Sequence, residues 1–495
     1  MRNLRLLLIF GSMTLPALTY AQPSLPDLSL LTASEAAKLI CQRKITSEQL
    51  VHAYLDNIGK MKNLNAFITV NTESAIKNAK AWDKHISDGG ACLPLGGVPV
   101  AIKDNIQVAG LPNTAGTPAL KKFIPQHSAP VVQKLIDDGA IIIGKTNMHE
   151  LAFGATGYNS AYHIPGIIGV RNAHDSDRIA GGSSSGNAVA IASGMSPVAL
   201  GTDTGSSVRQ PCALNGCVGF RPTTGRYSQQ GITPISHTRD TAGPMGHTVE
   251  DVAFIDSLIT GERIREPVNP HRIRLGVASY FWNEADDDVK QVTQSALDKL
   301  RKAGIEIISI KMDGLEQAND AVSIPIVTYE GKYDLINYLK ENNTHVTFND
   351  IVSQISSPDV KAIFTNAISP QRILLSSGKT APVYPLYQKA IKSGIGRLQG
   401  IYKLAFSENK IDAIIFPTSL IVAPIINKNI SSPEMFAKLI HNTDPGSNAR
   451  LPGLSIPAGF GPNTRMPVAL EIDGLPGSDA QILAIGTTIE KIISH

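Results

Sequence analysis

Two serine clusters set in glycine carry the residues most able to do chemistry: GGSSSG at 181–186 and TDTGSS at 202–207. Glycine lets a backbone turn sharply or approach a ligand closely. A serine hydroxyl beside free backbone N–H groups is what acyl transfer requires, a nucleophile next to donors for the oxyanion. The hydroxyl is a weak nucleophile until a neighbouring base takes its proton. Histidine is the usual base; lysine serves only when neutral, and burial favours that form by penalising charge. Lys103 ends the apolar run Val98, Pro99, Val100, Ala101, Ile102, which is expected to be a buried strand. Alone, Lys103 would be taken for a lysine in water at a strand end; beside two serine clusters it becomes a candidate base.

With VPVAIKDN, GGSSSG and TDTGSSVR in place, the chain resembles the amidase signature family, whose members hydrolyse carboxamides with a Ser-Ser-Lys triad. The resemblance implies Ser207 as the acylated nucleophile, Ser183 as the bridge and Lys103 as the base, with a cis peptide between Gly182 and Ser183. It places the oxyanion hole on backbone N–H groups across Thr204, Gly205, Ser206 and Ser207. Arg209 and Asp203 are implied as supporting residues, the arginine internal and bracing the loop. Ser206 stands where a second glycine is usual, which leaves the turn less conformational freedom. FRPTTGRYS and SHTRDTAGP look most like the branch that hydrolyses indoleacetamide and mandelamide. The implied fold is α/β, a large mixed central sheet covered by helices on both faces, in one domain over 22–495. Its signature core spans about 95–250, and a variable segment over about 313–409 walls the acyl pocket, with Tyr329, Tyr333, Tyr338 and Phe364 as candidates.

Other readings compete for the same residues. GSSSG over 182–186 matches a nucleophile elbow with Ser184 as nucleophile and His237 or His247 as partner, an esterase-like α/β-hydrolase. That elbow needs a strand before it, and DSDRIA is a poor one. A phosphate cradle lacks both the Walker pattern and a G-x-G-x-x-G after a strand. The amidase subunit of a tRNA amidotransferase is opposed by an export signal and by the lack of a basic patch. His149 and Glu150 lack the second histidine that zinc would need, so no metal and no cofactor are expected.

The elements that must position these residues are visible in the pattern. Thr32 with Glu35 and Thr46 with Gln49 are capping signals opening two helices, the second burying Leu50, Val51, Tyr54, Leu55 and Ile58. A strand over 66–70, a polar helix over 73–85, a helix over 130–138 opened by proline and a strand over 141–143 follow. Residues 187–194 form an apolar helix whose N-terminus faces the serine loop, and 197–202 a strand feeding the TGSS turn. Further on come a strand over 272–278, an amphipathic helix over 287–303, a strand over 305–310 and a mostly helical polar segment. Alternation of helix and strand argues for a sheet covered by helices.

The 495 residues, 42% hydrophobic and 18% charged, describe a globular protein, and the net charge of +3 with no basic run argues against nucleic acid. Arg2 and Arg5, the apolar segment 6–10 and the small residues before Ala21 look like a signal peptide over 1–21, hence an exported, periplasmic or secreted protein without stable membrane insertion. The expected partner is a small-molecule amide, and a homodimer stays open. The four cysteines do not make a disulfide scaffold in a chain this long. Cys212 and Cys217 are expected as free core residues.

Overall fold

A computed structural model describes residues 26–28, 30–375 and 378–494; the expected signal peptide lies outside them. Both N-terminal capping boxes form. Thr32 and Glu35 cap α1 (Ala33–Cys41), and Thr46 and Gln49 cap α2 (Ser47–Lys60). Leu50, Val51, Tyr54 and Ile58 are buried as the pattern requires, while Leu55 is half-buried. After β1 (Phe67–Val70), the polar helix α3 (Thr72–Ser87) keeps a narrow seam of Ala75, Ala79 and Ile86 inside.

The centre of the molecule is β2 (Pro99–Lys103), α4 (Pro130–Asp137), β3 (Ile141–Thr146), α5 (Ser185–Ala192), β4 (Val198–Asp203), α6 (Arg209–Asn215), β5 (Val218–Arg221) and β6 (Thr241–Gly246). Every residue of β2, β3 and β4 is buried, which requires cover on both faces of the sheet. The strand expected over 141–143 extends to Thr146, because the Lys145 amine finds partners inside: the Pro112 carbonyl at 3.1 Å and Asn113 Oδ1 at 3.0 Å. Helix α5 begins earlier than expected, at Ser185. Gly186 allows this, since a Cβ there would lie 2.1 Å from the Ala66 carbonyl oxygen.

The chain continues through α7 (Val249–Thr260), β7 (Arg274–Ala278), α8 (Asp287–Lys302), β8 (Glu306–Ile310), α9 (Leu315–Asp320), α10 (Ser323–Glu341), α11 (Phe348–Gln354) and α12 (Pro358–Ile363). A small hairpin of β9 (Arg372–Leu374) and β10 (Thr380–Pro382) precedes α13 (Tyr384–Lys389) and α14 (Ile395–Asn409). Then come β11 (Ala413–Pro417), α15 (Pro433–Ile440), α16 (Asp444–Asn448), β12 (Gly453–Phe460), β13 (Pro467–Asp473) and α17 (Asp479–Ile493).

Eleven strands form one mixed sheet in the order β1-β3-β2-β4-β6-β5-β12-β13-β11-β7-β8. β3, β2 and β4 run parallel, and so do β11, β7 and β8; the pairings between these groups are antiparallel. Strand β11 shows how both faces are covered: Ala413 and Ile415 join one apolar cluster with Leu297 and Ile489, while Ile414 and Phe416 join another with Ile326 and Leu398. That is the period of two expected of a strand buried between helix layers.

The cysteines correct the sequence expectation. Cys212 and Cys217 are buried, but they are bonded to each other, and Cys41 is bonded to Cys92. Helix α6 stops at Asn215 because Gly216 takes a positive φ of 79°, turning the chain back so that the two α-carbons lie 4.5 Å apart. Had the helix continued, the two side chains would have pointed in different directions. Cys41 and Cys92, 51 residues apart in sequence, tie the end of α1 to the segment preceding β2. Closing a loop of that length removes unfolded-state entropy, so the Cys41→Ser, Cys92→Ser protein is expected to lose about 2–4 kcal/mol of unfolding free energy. Urea denaturation of the parent and of the double variant, both without reductant, measures it; an unchanged midpoint would count against the expectation.

Candidate active site

The parallel trio β3-β2-β4 delivers Lys103 and Thr202 to the same end of the sheet, with Ile102 opposite Leu200 in register. Lys103 is wholly buried. Its Nζ lies 2.8 Å from Ser183 Oγ, 2.7 Å from Thr202 Oγ1 and 3.4 Å from the Thr202 carbonyl. Asn105 Nδ2 donates to the same threonine hydroxyl at 3.1 Å.

The serine clusters meet through their backbones. The Ser184 N–H donates to the Ser207 carbonyl at 3.1 Å, and the Gly182–Ser183 peptide is cis. The Gly182 N–H donates to Gln210 Oε1 at 2.8 Å, while Gln210 Nε2 donates to the Ala155 carbonyl at 3.1 Å. Gln210 lies on α6, which starts just after Ser207, so the helix behind one serine holds the loop of the other. Ser184, the rival nucleophile, is fully buried and its hydroxyl is engaged by Thr202, donating to the carbonyl at 3.1 Å and accepting from the N–H at 3.3 Å. No strand leads directly into it: the nearest one before it in the chain, β3, ends at Thr146.

After β4 the turn 204–207 leaves donors free. Among the described residues, none accepts a hydrogen bond from the N–H groups of Gly205, Ser206 or Ser207. Ser206 is accommodated where glycine is usual because its φ is not positive; its carbonyl accepts the Gln210 N–H at 2.9 Å. Space at Gly205 is tight, since a Cβ there would stand 3.2 Å from Arg239 Nη2 and 3.3 Å from Asp444 Oδ1.

The electrostatics around Lys103 pull both ways. Burial drives its pKa down to about 7, against the opposing fields of Asp203 and Asp240. Among the described residues no carboxylate reaches ion-pair distance of it. Burial disfavours charge on Asp203, but Arg209 and Arg221 overcome that and hold it well below the usual carboxylate range. Arg209 is internal, as the resemblance implied. It reaches Asp203 Oδ1 at 3.1 Å, Glu471 Oε1 at 2.5 Å, the Thr443 carbonyl at 3.2 Å and Ser447 Oγ at 2.6 Å. Burial raises Asp240 to about 6.

Sequence reasoning left Thr202, Gln210, Arg221, Arg239, Asp240 and Glu471 without roles. Arg239 and Asp240 sit in SHTRDTAGP, Arg221 in FRPTTG and Glu471 in LEID, so the signal was present as motif but not as contact. The aromatic candidates divide. Tyr338 accepts hydrogen bonds from Gln107 and Asn113 inside the core, and Phe364 packs edge-on against Phe153 at 5.0 Å. Tyr329 stacks on Tyr387 at 4.1 Å and lies tilted against Tyr333 and Tyr384.

His149 Nε2 lies 3.1 Å from Asp359, and Glu150 accepts the Ser356 and Ser357 N–H groups, so this pair anchors α12. Among the described residues, His237, Glu330 and Asp334 are close enough to hold a cation, but they already satisfy one another and nearby hydroxyls: His237 Nδ1 is 2.9 Å from Asp334, and Glu330 accepts from Ser236, Thr238 and Tyr387.

Comparison with known proteins agrees with this geometry. The family model described as Amidase matches residues 49–483. The chain is 49% identical to mandelamide hydrolase of Pseudomonas putida, covering 96% of this chain and 94% of that one. It is 38% identical to indoleacetamide hydrolase of Agrobacterium vitis, covering 90% and 93% respectively. A crystal structure of an amidase superposes with a TM-score of 0.79 at 30% identity, over 94% of this chain and all of the other. The fold with its mixed sheet, the burial of Lys103 beside Ser183 and these relatives lead to one assignment: the chain belongs to the amidase family, hydrolases of carbon–nitrogen bonds in non-peptide amides.

Proposed function

We propose that the protein is an exported amidase that hydrolyses small carboxamides with an aryl or indolyl acyl group to the acid and ammonia, using Ser207, Ser183 and Lys103. The observation that carries the reading is the contact between the buried Lys103 amine and Ser183 Oγ at 2.8 Å. Ser207 Oγ attacks the substrate carbonyl; its proton passes to Ser183 Oγ as the Ser183 proton passes to Lys103 Nζ. The N–H groups of Gly205, Ser206 and Ser207 receive the oxyanion. The proton returns along the same route to the leaving nitrogen, the C–N bond breaks and ammonia departs. Water then attacks the Ser207 ester with Lys103 again as base, releasing the acid. No metal or cofactor enters any step.

The acyl preference rests on the relatives named for mandelamide and indoleacetamide. Export is supported by the arginine-led apolar N-terminus and by the two disulfides, which fit an oxidising compartment.

Ser207→Ala and Lys103→Ala are each expected to lower kcat on mandelamide by roughly 10³-fold or more with the fold intact by circular dichroism. Ammonia release from mandelamide, indoleacetamide and short aliphatic amides ranks the substrates; faster turnover of the aliphatic amides would remove the aryl assignment. Because the base must be neutral and burial brings its pKa to about 7, kcat/KM is expected to rise with pH through about 7 and then level, rather than climb toward the ordinary lysine value of 10.5. A profile flat from pH 5 upward would contradict a lysine base.

A further inference from the structure

Thr204, the first residue of the turn, is held at both of its polar handles by consecutive residues of another loop. Its hydroxyl donates to Asp240 Oδ1 at 2.6 Å, and its carbonyl accepts from Arg239 Nε at 3.2 Å. All three residues are buried. In a planar trans peptide the N–H points opposite to the C=O, so drawing the Thr204 carbonyl toward Arg239 aims the Gly205 N–H the other way. The second carboxylate oxygen of Asp240 is itself fixed, accepting the N–H groups of Ile235 and Ser236 at 2.8 and 2.9 Å. Glu330 on α10 then secures this loop through the Ser236 and Thr238 hydroxyls. Arg239 is anchored by Asp444.

We propose that Asp240 is a positioning residue for amide hydrolysis: by gripping the Thr204 hydroxyl it locks the following peptide so that the Gly205 N–H stays directed at the substrate oxyanion. This rests on the assignment of residues 204–207 as the oxyanion turn. Asp240 also acts on the base through space. Its charge favours the charged form of Lys103, while the other charged groups around it are His237 and Arg239 on its own loop, Asp334 and Glu330 on α10, and Asp444 on α16.

The test is steady-state kinetics on mandelamide with Asp240→Ala, Asp240→Asn, Thr204→Val, Thr204→Ser and the double variant Asp240→Ala, Thr204→Val. The expected result is a kcat loss of about 10–100-fold in Asp240→Ala with KM changed by no more than about threefold, a smaller loss than removal of an oxyanion donor itself. Thr204→Val should show a similar loss, and the double variant no more than either single, because both cut one link. Thr204→Ser, which keeps the hydroxyl, should recover most of the turnover that Thr204→Val loses. In Asp240→Asn the acid limb of kcat/KM should move to lower pH, since a carboxylate that favoured charge on Lys103 is gone; a purely structural role would leave that limb in place. Folded Asp240→Ala with kcat within about twofold of the parent overturns the proposal, as do losses that multiply in the double variant. If Asp240→Ala does not fold, Thr204→Val with undiminished kcat overturns it alone. Full turnover in Ser207→Ala would instead remove the site assignment itself, whereas an inactive Ser207→Ala beside a normal Asp240→Ala removes only this inference.

Discussion

An amine sealed inside a protein without an opposite charge in contact is the constraint on which the rest depends. Lys103 and Lys145 stand on neighbouring parallel strands, both fully buried, and burial lowers the pKa of each. They differ in company. Lys145 has Asp104 at 3.4 Å, whereas the nearest partners of Lys103 are hydroxyls and a carbonyl. The first arrangement gives charge a reason to stay; the second lets desolvation decide, which a base must have to accept a proton near neutrality.

Sealing that amine requires more than covering it, because an ionised carboxylate sits close by. Asp203 ends β4 next to Thr202, and its field opposes the neutral form of Lys103. Two guanidiniums take up much of that field: Arg209 bonds both Asp203 oxygens and Arg221 bonds Oδ1 and the backbone carbonyl. Arg209 donates in turn to Glu471 on β13, next to Asp473, two carboxyls that burial pushes upward in pKa. Removing one member of such a buried set leaves an uncompensated charge and costs far more than an exposed ion pair is worth. The C-terminal strands therefore belong to the electrostatic enclosure of the site as much as to the sheet.

Much of this was legible because it is local. Capping boxes at Thr32 and Thr46, the apolar strand before Lys103 and the glycine-serine turns each lie within a few residues, where periodicity and steric rules apply. Arg209 was legible through motif resemblance. What escaped involves partners distant in sequence: Gln210 reaching Ala155, Arg209 reaching Glu471, Asp240 reaching Thr204. Nothing in the types of these residues says which partner they choose; the sheet order does, by setting β4 beside β6 and β5 beside β12. The Cys212–Cys217 bond escaped for a subtler reason, a left-handed turn at Gly216 that reverses the chain just after a helix. The partners of Tyr338, Gln107 and Asn113, are likewise distant in sequence, contacts that helical periodicity alone does not reveal.

Helix α10 meets two distant stretches of the chain: Glu330 bonds the SHTRD loop, and at the adjacent Gly331 an added Cβ would come within 3.1 Å of Phe153. Phe153 precedes Gly154 and Ala155, whose backbone crowds Gly182 closely enough that a Cβ there would lie 3.3 Å from the Gly154 oxygen. One helix thus meets the 236–240 loop through Glu330 and Phe153 at Gly331, while Tyr329 stacks on Tyr387 and lies tilted against Tyr333. Stacked rings tolerate repacking more readily than a hydrogen-bonded carboxylate does, because the latter fails on loss of a single partner. A substitution is therefore expected to cost less at the outer rings than at Glu330, whose carboxylate holds the 236–240 loop.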